Sequence, residues 1–182
     1  MLLSLVIPTY NERQNIALLV QSITPTLEKT LDHFEIIVVD DDSPDGTWQV
    51  VDELAKDNPR LAVIRRRGDK GLATAVVAGW QTARGALLGV MDGDLQHPPE
   101  VLPVLLRTIL DSQADIVIAS RNVEGGWGKR METHPQAHRL GCKIYSHSNA
   151  PWGRKICSGS AVGIFSDEAR CHRIRRPQAC GI

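Results

Sequence analysis

The chain has 182 residues, 42% of them hydrophobic and 23% charged, with 21 Lys and Arg against 21 Asp and Glu. That profile is one soluble α/β-sized domain; it excludes a collagen, a coiled coil and a disordered tail, and zero formal charge argues against a nucleic-acid partner. The balance is uneven along the chain, with 11 Lys and Arg against 17 Asp and Glu in residues 1–122, then 10 against 4 in residues 123–182. All four cysteines (Cys142, Cys157, Cys171, Cys180) and four of the six histidines fall in the second stretch, and no C-x-x-C pair suggests a zinc ribbon or a redox motif.

Met1 to Ile7 is apolar but lacks a basic leader and a small-residue cleavage site, so it reads as a strand and not as an export signal. A bilayer span needs ~20 continuous apolar residues, and runs such as Ala86 to Met91 are far shorter, so a cytoplasmic location is expected. Leu3 to Ile7, Glu35 to Val39, Leu61 to Arg65, Ala86 to Met91 and Asp115 to Ala119 are short Val- and Ile-rich runs suited to a parallel sheet buried on both faces.

Helical patterns separate these runs. Ile16, Leu19, Val20, Ile23 and Leu27 recur at helical spacing behind Asn11, the expected N-cap. Trp48, Val50, Val51 and Leu54 follow the turn Ser43-Pro44-Asp45-Gly46, Ala73 to Ala83 forms an Ala-rich helix ending at Gly85, and Pro99 to Asp111 forms another. Strand and helix alternating in this way predict a doubly wound, mostly parallel α/β sheet, whose ligands bind beyond the carboxyl ends of the strands.

Three polar segments occupy those ends: Pro8-Thr9-Tyr10-Asn11-Glu12, Asp40 to Gly46, and Asp92-Gly93-Asp94-Leu95-Gln96-His97. Their seven carboxylates would repel one another unless a cation or a polar ligand compensates, and D-x-D at a strand end suits a hard divalent ion shared with a diphosphate. Taken singly, D-x-D and Asp41 read as turn residues, Tyr10 as a half-buried aromatic and Glu12 as a first-turn acid. Their joint occurrence on one sheet edge favours a site. His97, before Pro98-Pro99, reads as a loop-packing residue, and Arg65, Arg66 and Arg67 read as a solvated loop in preference to a phosphate contact.

The segments V-I-P-T-Y-N-E, I-V-V-D-D-D-S-P-D-G-T, G-D-K-G-L-A-T-A, M-D-G-D-L-Q-H-P-P-E and A-S-R-N resemble the family 2 glycosyltransferases, and among these the dolichol-phosphate or polyprenol-phosphate mannosyltransferase branch. The resemblance implies a GT-A domain over residues 1–126. It places Pro8, Tyr10, Glu12, Val39 and Asp41 around the donor nucleoside and Asp92, Gly93, Asp94 and Gln96 at the donor diphosphate. Asp92, Asp94 and Gln96 would take Mg2+ or Mn2+; Asp94 and Arg121 would be the catalytic residues, Arg121 facing a donor or acceptor phosphate.

The implied reaction is an inverting transfer of mannose from GDP-mannose to a polyprenol phosphate, carried out peripherally at the cytoplasmic face of a membrane. An anionic phosphate nucleophile needs little help from a base, which agrees with the lack of an outstanding His or Glu. Transfer of glucose from UDP-glucose, and a chain that binds nucleotide without transferring sugar, stand as alternatives. A nucleotidyltransferase is disfavoured, since no glycine-rich basic loop follows the first strand. Asp42 stands where the family commonly has glycine.

Beyond Gly126 the family's R-x-x-S and D-P-x-S-G-F/Y segments are not seen, and residues 127–182 have weak apolar periodicity. They are expected to form an atypical, poorly ordered tail. Codons compatible with Ser158 to Phe165 spell A-D-P-L-S-G-Y when read one base later, so a shifted reading frame is a further expectation, open to a test by sequencing the gene around Gly126.

Overall fold

A computed structural model describes residues 2–68, 70–112, 116–119, 142–145 and 162–166. Seven strands, β1 (Leu3–Thr9), β2 (Phe34–Asp40), β3 (Leu61–Arg65), β4 (Leu87–Val90), β5 (Ile116–Ala119), β6 (Cys142–Tyr145) and β7 (Val162–Ser166), form one sheet in the order β3-β2-β1-β4-β7-β5-β6. β1 pairs in parallel with β2 and β4, and β2 with β3, while β7 runs antiparallel to both β4 and β5, and β6 antiparallel to β5. The first four strands lie where the apolar runs predict them.

Four helices connect the strands: α1 (Ile16–Glu28), α2 (Thr47–Asp57), α3 (Leu72–Thr82) and α4 (Val101–Asp111). Alternate residues of each strand point to opposite faces. Leu3, Leu5, Ile7, Ile36 and Val38 pack beneath Ile16, Leu19, Ile23, Val51, Leu102 and Leu105, so α1, α2 and α4 share one face. Val6, Ile37, Val39 and Leu88 face Ala75 and the rest of α3 on the other. A fully buried Leu or Ile in these layers contributes about 1.5–3 kcal/mol. Gly79 sets how closely α3 approaches, because a β-carbon there would stand 2.6 Å from Val6 Cγ1.

One expectation is corrected. Asn11 is not the N-cap of α1: it has a positive φ of 61°, and the helix is entered four residues later at Asn15, because the intervening residues belong to the site loop. Within residues 127–182, read from the sequence as an atypical tail, the described residues are the strands β6 and β7. β7 is too short for periodicity to stand out, yet it buries Val162 and Ile164 in the larger core layer.

The amino-terminal edge of the sheet carries a polar clamp. Ser4 Oγ donates to Glu35 Oε1 at 2.5 Å and accepts from Gly85 N–H at 2.8 Å, while the Arg84 main-chain N–H and guanidinium donate to the two Glu35 oxygens at 2.7–2.9 Å. Burial pushes the Glu35 carboxyl up, but the Ser4 hydroxyl and both Arg84 donors outweigh it and leave the group below its ordinary 4.5. The clamp fixes the entry into β4, at whose far end Asp92 and Asp94 emerge.

Candidate functional site

Because β2, β1 and β4 are parallel neighbours, their carboxyl ends bring the three polar segments to one rim. The first two are laced by consecutive main-chain donors. Asn11 N–H donates to Ser43 Oγ at 2.9 Å, Glu12 N–H to Thr47 Oγ1 at 2.9 Å and Arg13 N–H to Asp45 Oδ2 at 3.1 Å. The S-P-D-G-T stretch, which as sequence reads only as a turn, is therefore the set of acceptors that shapes the loop after β1. Gly93 fits against this loop, where a β-carbon would meet Thr9 Cγ2 at 3.1 Å and Glu12 Cγ at 3.5 Å.

Protein groups satisfy most of the rim's carboxylates. Asp40 is fully buried and accepts from Thr9 Oγ1, Ser43 N–H and Ser43 Oγ at 2.6–3.1 Å. Asp45 accepts from the Thr47 main chain and hydroxyl as well as from Arg13 N–H; these donors outweigh the burial that would raise it and hold its carboxyl below 3.8. Glu12 accepts from Asn15 Nδ2 at 2.7 Å. Asp42, at φ 55°, pairs with Arg65 at 2.5 Å, and Arg65 lies over the Trp48 ring at 4.1 Å. Asp41 pairs with Arg66 at 2.8 Å and accepts from Gly71 N–H at 2.7 Å.

The expected solvated arginine loop is thus corrected for two of its three members: Arg65 and Arg66 neutralise the acids that follow β2. Neither pairing was visible in the sequence, since only the parallel register of Asp40 with Arg65 puts the two strand ends side by side. Asp94 differs from these acids. It is half-buried, accepts from Gln96 N–H at 3.0 Å, and makes no ion pair among the described residues. Asp92 is also half-buried, two residues back on the same loop.

Of the remaining expected site residues, Tyr10 is 51% exposed, with Lys70 Nζ 4.8 Å from its ring centroid. Pro8 is buried and in register with Val39, whose side chain lies in the core beneath α3, so Val39 can offer a donor only its main chain. Gln96 is exposed, and its main chain supports Asp94. His97 is buried, as a loop-packing residue should be. Arg121 lies outside the described residues.

The rim's donor set was weighed against a divalent ion. Among the described residues no group of three or more His, Cys, Asp or Glu is placed to hold a metal. Two carboxylates two residues apart on one loop suit a hard cation that completes its shell with phosphate oxygens and water, the usual habit of Mg2+ and Mn2+. The residues fit such an ion only in company with a diphosphate.

The family model for Glycosyl transferase family 2 matches residues 4–171. The chain belongs to glycosyltransferase family 2. This family 2 chain is 49% identical over 140 residues to a dolichol-phosphate mannosyltransferase of Pyrococcus furiosus, covering 77% of this chain and 38% of that protein. It is 44% identical over 125 residues to a polyprenol monophosphomannose synthase of Mycolicibacterium smegmatis, covering 66% and 45%. A dolichol-phosphate mannosyltransferase of Mycosarcoma maydis is 36% identical over 161 residues, covering 86% and 52%. The family 2 chain spans about half the length of these relatives or less. Among solved structures, the mannosyltransferase PcManGT from Pyrobaculum calidifontis, in complex with GDP-Man and Mn2+, is similar with a TM-score of 0.55 and 26% identity, over 63% of this chain and 34% of that one.

Proposed function

We propose that the chain transfers mannose from GDP-mannose to a polyprenol phosphate with inversion at the anomeric carbon. The observation that carries this reading is the D-x-D pair Asp92 and Asp94 on the loop beyond β4, at the rim where the three polar segments meet, in a chain 49% identical over its matched stretch to a dolichol-phosphate mannosyltransferase. Asp92 and Asp94 would hold Mg2+ or Mn2+, which when bound offsets the negative charge gathering on the departing nucleoside diphosphate. Tyr10, Glu12 and Asp41 would line the nucleoside, and Gly93 lets the diphosphate-binding loop close against the loop after β1. Arg121 would face a phosphate.

No residue of the rim has to remove a proton from the acceptor, because a phosphate monoester is already anionic at neutral pH. The task of the protein is then to align two substrates and stabilise a leaving group. The lipid acceptor implies work at a membrane surface, peripherally and on the cytoplasmic side; no helix among the described residues is long and apolar enough to cross a bilayer.

The test is mannose transfer from GDP-mannose to a short polyprenol phosphate with Mn2+ or Mg2+, run beside UDP-glucose and beside GDP calorimetry. Transfer from GDP-mannose supports the proposal. Transfer only from UDP-glucose supports a glucosyl enzyme instead, and GDP binding without transfer supports a chain that binds nucleotide alone.

A further inference from the structure

Backbone strain is concentrated on the rim. Among the described residues, three that are not glycine have a left-handed backbone, Asn11 at φ 61°, Asp42 at φ 55° and Leu95 at φ 61°, one in each loop after β1, β2 and β4. Asparagine and aspartate visit this conformation readily, because a short polar side chain can hydrogen-bond locally. Leucine has no such help. A bulky residue held there is an outlier that the surrounding structure must enforce.

Packing of the leucine side chain does not supply the reason, since Leu95 is 41% exposed. The reason lies in the chain on either side. Before the loop, Met91 is fully buried and its N–H donates to Val6 O at 3.0 Å. After it, His97 is buried, and the fully buried Val101 and Leu102 donate their N–H groups to Pro98 O and Pro99 O at 3.1 Å. Between these anchors Gly93 lies so close to Thr9 and Glu12 that a β-carbon would meet both, which leaves the reversal to Asp94, Leu95 and Gln96. It falls on Leu95, and it returns Gln96 N–H to Asp94 Oδ1 at 3.0 Å.

We infer that Leu95 is a positioning residue whose left-handed backbone, and not its side chain, aims the Asp94 carboxylate: the turn brings Gln96 N–H onto Oδ1 and so fixes the orientation of an acid on which the cation site depends. A carboxylate already held in place is not left to be ordered when the ligand arrives, which favours binding. The strain at Leu95 is the corresponding cost, carried by the folded chain. The inference rests on the cation reading proposed above.

Residue types sort by whether they accept a φ near that of Leu95. Glycine and asparagine do so with little strain, whereas isoleucine, an isomer of leucine with the same apolar bulk, is branched at Cβ and resists it. The experiment titrates GDP into the full chain by calorimetry, once with Mn2+ and once with EDTA, for the wild type, Leu95→Gly, Leu95→Asn and Leu95→Ile. Melting temperatures recorded without metal confirm folding. Leu95→Gly and Leu95→Asn should keep the wild-type gain in GDP affinity on adding Mn2+. Leu95→Ile should lose about tenfold or more of that gain, the scale on which groups supporting a metal ligand act, while its GDP affinity in EDTA stays at the wild-type value.

A leucine retained for its apolar surface gives the opposite order, with Leu95→Ile matching the wild type while Leu95→Gly and Leu95→Asn fall, and that order overturns the inference. So does a loss in Leu95→Ile that is as large in EDTA as with Mn2+, the mark of a merely structural residue. If Leu95→Ile does not fold, the other two variants carry the test: a retained gain supports the inference, and its loss in both overturns it. A wild-type chain whose GDP affinity does not respond to Mn2+ overturns the cation reading and this inference with it; a responsive wild type matched by Leu95→Ile overturns this inference alone.

Discussion

Gly93 rests against Thr9: a β-carbon on Gly93 would stand 3.1 Å from Thr9 Cγ2, closer than side chains ordinarily approach. The contact sets the distance between the loop that carries Asp92 and Asp94 and the loop that carries Tyr10 and Glu12. Gly93→Ala should force the loops apart by a few tenths of an ångström. Donor binding should weaken by about tenfold, while the melting temperature falls by several degrees, since overpacking of one methyl typically costs about 1–3 kcal/mol. Calorimetry with GDP beside thermal unfolding checks both, and wild-type affinity in the variant would refute the proposed spacing role.

Asp94→Asn preserves shape and the hydrogen bond from Gln96 N–H but removes the charge. Because Asp94 makes no ion pair among the described residues, folding should be unaffected or slightly improved. Transfer should fall by about a hundredfold or more, the usual loss when a group that stabilises developing charge is removed. Mn2+-dependent GDP binding should disappear. Retained metal dependence would remove Asp94 from the cation site.

The Glu35 clamp predicts acid sensitivity. Its carboxyl is held below 4.5, so the unfolded chain takes up a proton more readily than the folded one. The stability it contributes is fully present above about pH 4.5 and is lost as pH falls through the lower folded-state value. Glu35→Gln should cost about 1–3 kcal/mol at neutral pH, from the hydrogen bonds of Ser4 and the Arg84 main chain more than from the exposed Arg84 guanidinium. Urea unfolding across pH 3–7 should then show a flatter acid limb for the variant.

Asp42 occupies a left-handed conformation and is balanced by Arg65 stacked on Trp48. Asp42→Gly relieves the conformation and loses a half-exposed ion pair, so stability should change by no more than about 0.5 kcal/mol. Asp42→Ala keeps the strain and should cost about 1 kcal/mol more. Unfolding midpoints of the two variants separate these contributions, and GDP affinity should be unchanged in Asp42→Gly, because Arg65 already cancels the charge.

Much of the parallel part of the sheet was legible in the sequence because parallel strands buried on both faces write continuous Val and Ile runs, and β1 to β4 lie where those runs stand. Acids just beyond such runs then mark the rim. What the sequence did not show are relationships across strands. The pairing of Arg66 with Asp41 depends on how β3 sits beside β2, and the lacing of Asn11, Glu12 and Arg13 onto Ser43, Thr47 and Asp45 depends on how β1 sits beside it. For the same reason Asn11 looked like a helix cap, since a polar residue before an apolar helical pattern has the same local signature whether it serves the helix or the neighbouring loop. β7 escaped notice because it enters the sheet antiparallel, outside the alternation that revealed the others.

The place of β7 also has a consequence for the order in which the molecule can assemble. During synthesis β4 emerges with β1 on one side and nothing on the other; its second neighbour begins only at Val162. Until then β4 presents an open row of amides and carbonyls, and β5 has no bridge to the rest of the sheet. The nascent chain thus passes through a stage in which β1, β2 and β3 are paired while a sticky edge lies exposed at the sheet's centre, and late pairing of residues distant in sequence is slow. A ribosome stalled before Val162 should therefore carry a species prone to aggregation, and emergence of β7 should mark the moment β4 gains its second neighbour.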